Sequence, residues 1–158
     1  MRTLLTLLLF VPLVGFGQKS FFVDSRDGKE YKIIKIGEQE WMAVNLAFLP
    51  DSGNYKVYAY DNDTSNVLKY GYLYDFEAAN NVCPTGWHLP SKDEFGVLIE
   101  LIGGEVAYYE VWTNGLKLKS KTEWLGDGTD NIGFNGLPGG SRVGSHVRLY
   151  NGSKCSVF

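Results

Sequence analysis

Cys83-Pro84-Thr85-Gly86-Trp87-His88-Leu89-Pro90-Ser91-Lys92-Asp93-Glu94-Phe95 is the stretch whose reading decides the fold. Pro84 and Pro90 restrict the backbone at both ends of a turn, and Gly86 permits a positive φ between them. Ser91 and Glu94 stand at capping-box spacing: the hydroxyl accepts from a backbone N–H three residues on, and the carboxylate reaches back. Phe95, Leu98, Ile99 and Ile102 then fall at i, i+3, i+4 and i+7, one apolar helix face. Gly103-Gly104 ends that helix as a left-handed C-cap would. A rigid loop carrying a cysteine and a tryptophan therefore feeds a capped amphipathic helix, and the rest of the chain must pack on it.

Upstream, residues 20–48 predict an opening β-meander. Phe21-Phe22-Val23 forms a strand, Asp24 to Gly28 a turn, and Tyr31 to Ile36 a second strand. Gly37-Glu38 turns the chain into Gln39-Glu40-Trp41-Met42, where the large indole of Trp41 is a core anchor. Asn45, a polar residue among apolar neighbours, is expected to bridge backbone groups across a loop. Tyr55, Tyr58 and Tyr60 suggest a strand, and Tyr70 to Tyr74 another that runs into a short helix ending near Asn80. Downstream of the central helix, residues 105–113 fit helix or strand, and Leu116-Lys117-Leu118-Lys119-Ser120 alternates as a strand would. The lysine run 117/119/121 reads as the solvated face of that strand. Gly133 to Arg142 is glycine-rich but opens no amphipathic helix, so close backbone packing around Phe134 and Leu137 explains it better than a phosphate loop.

Of 158 residues, 15% are aromatic and 19 are glycine, a mix that favours short strands, tight turns and a core of rings within one domain. The net charge of −3 with scattered basic residues gives no footprint for nucleic acid or an anionic membrane. Residues 1–17 read as a signal peptide, with Arg2 as the n-region, an apolar run interrupted by Pro12, and Gly15-Phe16-Gly17 before cleavage at Gln18. The alternative is an uncleaved N-terminal anchor. With cleavage, the chain is secreted or held at a bacterial cell surface, without an integral membrane segment. Both cysteines, Cys83 and Cys155, follow the signal, and an even count in an oxidising compartment predicts a disulfide between them. Closing a loop of about 70 residues would contribute roughly 4 kcal/mol. Two free thiols are the rival state.

Residues for chemistry are few. His88 and His146 are the only histidines and lie in no metal-ligand spacing. No nucleophile-elbow motif is present, and His88 reads as a hydrogen-bonded structural residue. Asp61-Asn62-Asp63 and Asp127 to Asn131 could offer oxygens to calcium, but lack the Asp-x-Asp-x-Asp-Gly register and its terminal Glu. Turn chemistry accounts for both, so no metal and no cofactor are expected. Asn62-Asp63-Thr64 and Asn151-Gly152-Ser153 match a glycosylation sequon, informative only in a glycosylating host.

Six pieces in order carry a family resemblance: Asp27-Gly28-x-x-Tyr31; Ile36-Gly37-x-x-x-Trp41-Met42-Ala43-x-Asn45-Leu46; Tyr70-Gly71-x-Leu73-Tyr74; Cys83 to Ser91 with Glu94-Phe95; Leu116-Lys117-x-Lys119; and Gly133-Phe134-x-x-Leu137-Pro138-Gly139-Gly140-x-Arg142. Over residues 24–142 the chain resembles the Fibrobacter succinogenes major paralogous domain, so residues 18–158 are read as one such domain. The resemblance implies an α+β, C-type-lectin-like domain of twisted antiparallel strands with two short helices, similar also to the formylglycine-generating-enzyme fold. It makes Trp41, Asn45, Trp87, Pro90, Ser91, Glu94, Gly139, Gly140 and Arg142 structural motif residues. It brings no established activity. After Arg142 the sequence departs from the family's Trp-rich strands, so Cys155 is not matched with the family's terminal cysteine, and the domain is expected either to end in a natural shortening or to lack its final strands. The functional expectation is an exported, non-catalytic module binding a surface glycan or protein ligand; the alternatives are a formylglycine-generating-type oxidase and a structural or adhesion domain.

Overall fold

The computed structural model describes residues 20–103, 115–126, 128–143 and 146–148. Its elements are mixed: small antiparallel sheets and short helices, an α+β chain. Strands β1 (Ser20–Val23), β2 (Glu30–Ile36) and β3 (Gln39–Met42) form a sheet in the order β1-β2-β3. The meander read from the sequence is therefore present up to Met42, after which 43–48 runs as irregular chain.

The register of this sheet explains how a short strand serves two cores. Side chains alternate between faces along a strand, and Ile33 pairs with Met42 while Ile34 pairs with Trp41. Tyr31, Ile33 and Met42 thus share one face, and Ile34, Ile36 and Trp41 share the other. On the first face they cluster with Leu46, Tyr74, Ala78, Ala79 and Val82. On the second they cluster with Leu98, Ile102 and Phe134. Adjacent residues Trp41 and Met42, 2% and 0% exposed, are the central members of the two cores. Gly37 leads the two-residue turn joining β2 to β3 with φ 62°, as a turn matched to strand twist requires.

The chain after β3 is buried without being a strand, so its backbone groups are met by side chains. Tyr31 Oη accepts from the Ala47 N–H, and Tyr74 Oη donates to the Phe48 carbonyl at 2.6 Å. Burial pushes the Tyr31 hydroxyl up to about 12 and raises that of Tyr74 further. Asn45 Nδ2 donates to the Tyr70 carbonyl at 2.7 Å, the cross-loop bridge expected of it. Gly71 is obligatory here: φ is 67°, and a Cβ would lie 2.5 Å from the Leu46 carbonyl oxygen.

Strand β4 (Val57–Ala59), helix α1 (Val67–Tyr70), strand β5 (Tyr72–Tyr74) and helix α2 (Phe76–Asn81) follow, with β4 and β5 paired antiparallel. The tyrosine-rich strand is shorter than its sequence suggests. Tyr60 opens a 3-10 turn in which Asp61 and Asn62 take φ of 54° and 56°, and Tyr70 closes α1. Those two rings stack on each other at 4.8 Å between centroids instead of extending strands. Helix α3 (Lys92–Leu101) has the full capping box, and Gly103 ends it with φ 76° and its N–H on the Glu100 carbonyl. Three α-helices are therefore described, where two were expected.

The predicted strand at 116–120 is corrected: Gly115–Lys117 is a 3-10 turn, and only Lys119 bridges Gly136. The lysines have work other than facing solvent. Lys117 Nζ donates to the Ile102 carbonyl at the end of α3, and Lys119 lies over the Trp124 ring at 4.6 Å. The Leu116 carbonyl meanwhile accepts from Thr129, which holds the turn closed. The hairpin β6 (Ser141–Val143) and β7 (His146–Arg148) is the last described element. Residues 105–113 and Cys155 lie outside the described residues. No described helix is long and apolar enough to cross a membrane.

Candidate binding cleft

The β2–β3 turn, the start of β3 and the loop into α3 enclose a cleft of about 310 Å3, within the range of small-ligand sites. Glu38, Gln39, Glu40 and Trp41 line one side; Gly86, Trp87, His88, Pro90 and Glu94 line the other. The two sides are tied by one side chain. Gln39 lies two residues before Trp41, so both project from the same face of β3. Its Oε1 accepts from Trp41 Nε1–H at 3.2 Å, and its Nε2 donates to the Glu94 carbonyl at 3.3 Å.

Glu94 organises the opposite side. Its Oε2 accepts from the Ser91 N–H and from Ser91 Oγ, each at 2.8 Å, while Oε1 meets His88 Nε2 at 2.7 Å. Ser91 Oγ in turn accepts from the Glu94 N–H. The Ser91 backbone bond, reinforced by the Ser91 hydroxyl and His88, holds the Glu94 carboxyl below its ordinary value. Serine, carboxylate and histidine occur together, but the carboxylate stands between the other two. A serine–histidine relay needs the imidazole against the nucleophile, so this trio is a helix cap with an added imidazole.

Trp87 sits where both cores meet the cleft. It packs against the two buried clusters and meets Phe22 edge-on at 5.4 Å. It is half-buried, unlike Trp41, which packs between Phe95 and Phe134 at 5.4 and 5.6 Å. His88 is hydrogen-bonded as expected, though its side chain is 65% exposed and not enclosed by apolar neighbours.

The motif residues separate into three places. Trp41, Trp87, Pro90, Ser91 and Glu94 converge on the cleft. Asn45 packs elsewhere, against buried Gly139, whose Cβ position is 3.5 Å from Asn45 Nδ2; Gly140 beside it is also buried. Arg142 stacks on Tyr58 at 3.7 Å and donates to Asn62 Oδ1. That bond and the Asp63 cap on the Ser65 N–H occupy the oxygen-rich loop as turn chemistry. No group of three or more His, Cys, Asp or Glu able to hold a metal ion occurs among the described residues. Glu38, Gln39, Glu40, Gly86 and His88 were not singled out as a site from sequence. The period-2 relation of Gln39 to Trp41 was the available signal.

Cys83 is half-buried, and its thiol donates weakly to the Ala79 carbonyl at 3.5 Å. Burial pushes that thiol up to about 11, opposite to the lowering that a reactive cysteine needs.

The model of the Fibrobacter succinogenes major domain matches residues 34–155. The chain belongs to that family. The match takes in the β2–β3 turn, the cleft, α3 and the glycine-rich segment, and extends past Arg142 into the tail. No curated protein and no solved structure matches the chain.

Proposed function

We propose that this family member is an exported, non-catalytic binding module whose cleft takes a surface glycan. The observation that carries the reading is the cleft itself: a half-buried indole, Trp87, beside the imidazole of His88 and the carboxylate of Glu94, in a space sized for a small ligand. An indole offers a flat apolar surface with little conformational entropy to lose, which suits the apolar face of a pyranose ring. Carboxylate and imidazole groups then meet its hydroxyls. The C-type-lectin-like arrangement belongs to the same proposal, with the Trp-His-Leu-Pro-Ser loop leading into α3 as its supporting feature. The raised Cys83 thiol and the Ser91–Glu94–His88 order both weigh against an oxidase or a hydrolase.

The test is a glycan array on the full chain recovered from the exporting bacterium, whose intact mass should begin at Gln18. Any binding found should weaken about 30-fold in Trp87→Ala, since truncating a central tryptophan costs about 2 kcal/mol or more. Binding unaffected by that change would put the ligand elsewhere. A protein ligand has one observation in its favour: edge strand β1 leaves Phe21 and Val23 61% and 53% exposed. Binding abolished by Phe21→Ser and untouched by Trp87→Ala would select that reading.

A further inference from the structure

The register of the first sheet fixes which backbone groups its two edges leave open. Gly37-Glu38 is a two-residue turn, so Ile36 and Gln39 beside it form a hydrogen-bonded pair, and bonded pairs recur at every second residue. The Ala43 N–H on the Lys32 carbonyl at 2.8 Å continues that pattern. Even-numbered residues of β2 thus bond β3, and Tyr31 and Ile33 bond β1 at Phe22 and Ser20. The Asp24 N–H on the Lys29 carbonyl at 2.9 Å carries the same alternation past the end of β1. Phe21 and Val23 are left with their N–H and C=O groups facing away from the sheet, and these groups have no partner among the described residues.

The two edges differ in protection. Strand β3 carries Glu40 opposite Lys35, charges of the kind that deter an added strand. Strand β1, Ser20-Phe21-Phe22-Val23, has no charge and no proline, its pairing with β2 has no bulge, and Phe21 and Val23 are exposed. Four open backbone groups at alternate residues call for an extended strand. An edge of four residues falls far short of the roughly 20–30 residues a side of a stable complex between separate chains. A tethered strand escapes that limit, because its effective concentration is on the order of millimolar.

We infer that the outer edge of β1 is a docking site for this chain's own segment 149–158. This stands apart from the glycan reading. The segment follows β7, and the family match runs through its residue 155. Ten extended residues reach about 33 Å, the width of a domain this size. Leu149, Tyr150, Val157 and Phe158 supply apolar side chains to cover Phe21 and Val23. Phe22 and Cys83 pack on the same buried cluster, so a strand beside β1 with Cys155 on the Phe22 side brings the two cysteines toward each other. Phe22 also meets Trp87 edge-on, so the strand that steadies β1 steadies one wall of the cleft.

Amide hydrogen exchange, followed residue by residue on the full chain, tests this. The Phe21 and Val23 amides should exchange about 100-fold slower than an open edge allows, at any protein concentration. Adjacent residues of a strand face opposite ways, so one proline of the double change Ser156→Pro with Val157→Pro falls on a bonded position. That variant should release Phe21 and Val23 while Tyr31 and Ile33 stay protected. Cross-strand contacts between amides of 21–23 and 149–158 read the same pairing in the unsubstituted chain, and their absence would overturn it. Fast exchange at Phe21 and Val23 in that chain would overturn it too, leaving the edge open. Protection that survives both prolines would assign the edge to another segment. Protection that rises with protein concentration would assign it to a second copy.

Discussion

Trp41→Ala removes the residue on which the second core is built, and its cost follows from the packing. Trp41 is 2% exposed and lies between Phe95 and Phe134. A tryptophan of this kind buries about 200 Å2. At about 25 cal/mol per Å2 that is about 5 kcal/mol, and the retained β-carbon with partial collapse lowers it to about 4 kcal/mol. Losing the hydrogen bond to Gln39 adds little, because Gln39 is only half-buried and can be hydrated. The matched comparison is Trp87→Ala, where the ring is already half in water and the loss should be about 2 kcal/mol. Urea unfolding of the full chain reads both. With a slope of about 2 kcal/mol per molar, Trp41→Ala should lower the midpoint by about 2 M and Trp87→Ala by about 1 M. Should Trp41→Ala leave the protein without a cooperative transition, Trp41→Phe serves, with an expected loss of about 1–2 kcal/mol. Equal shifts for the two alanine variants, or a smaller one for Trp41, would refute the two-faced packing of the sheet.

Three further substitutions and one labelling experiment probe other parts of the account. Gly136→Ala places a Cβ 2.6 Å from the Leu118 carbonyl oxygen, backbone against backbone, and should cost about 1–3 kcal/mol in the same melt. Ser91→Ala removes the cap of α3 at about 1 kcal/mol. The folded Glu94 carboxyl lies below its ordinary 4.5, so its contribution is present above that pH and is lost as pH falls through the folded value. Glu94→Gln should therefore flatten the acid limb of the stability profile below about pH 4.5, and an unchanged limb would count against the cap. The expected Cys83–Cys155 disulfide needs alkylation in denaturant without reductant, because burial and the raised thiol would slow labelling of native Cys83 even if it were free. No labelling of either cysteine supports the bridge; labelling of both rejects it.

Where local rules govern, the sequence was readable. The capping box, the apolar face of α3 and the turn at Gly37 depend on residues within a few positions of one another, and each occurs where its spacing put it. Asn45 was readable as well, because a polar residue in an apolar run must find a backbone partner. The misreading at 116–120 has a tertiary cause: alternation predicts a strand, but Lys117 is drawn to the end of α3 and Leu116 to Thr129. Tyr60 and Tyr70 have strand propensity yet stack across a turn. The cleft was the least legible feature. Its two sides come from segments about 50 positions apart, and the Gln39–Glu94 bond that joins them spans a separation of 55. Only half of it, the Trp87–Glu94 loop, carried a local signature.

The central claim is that ligand enters between the β2–β3 turn and the loop before α3, and an amide and indole shift map tests it most directly. The uniformly labelled full chain would be titrated with the glycan that the array selects. The account predicts shifts at the Trp87 indole N–H and at backbone amides of 38–41 and 86–94, with the Tyr58, Tyr60 and Arg142 neighbourhood unmoved. Shifts confined to that tyrosine-rich side, with the Trp87 indole unchanged, would contradict it.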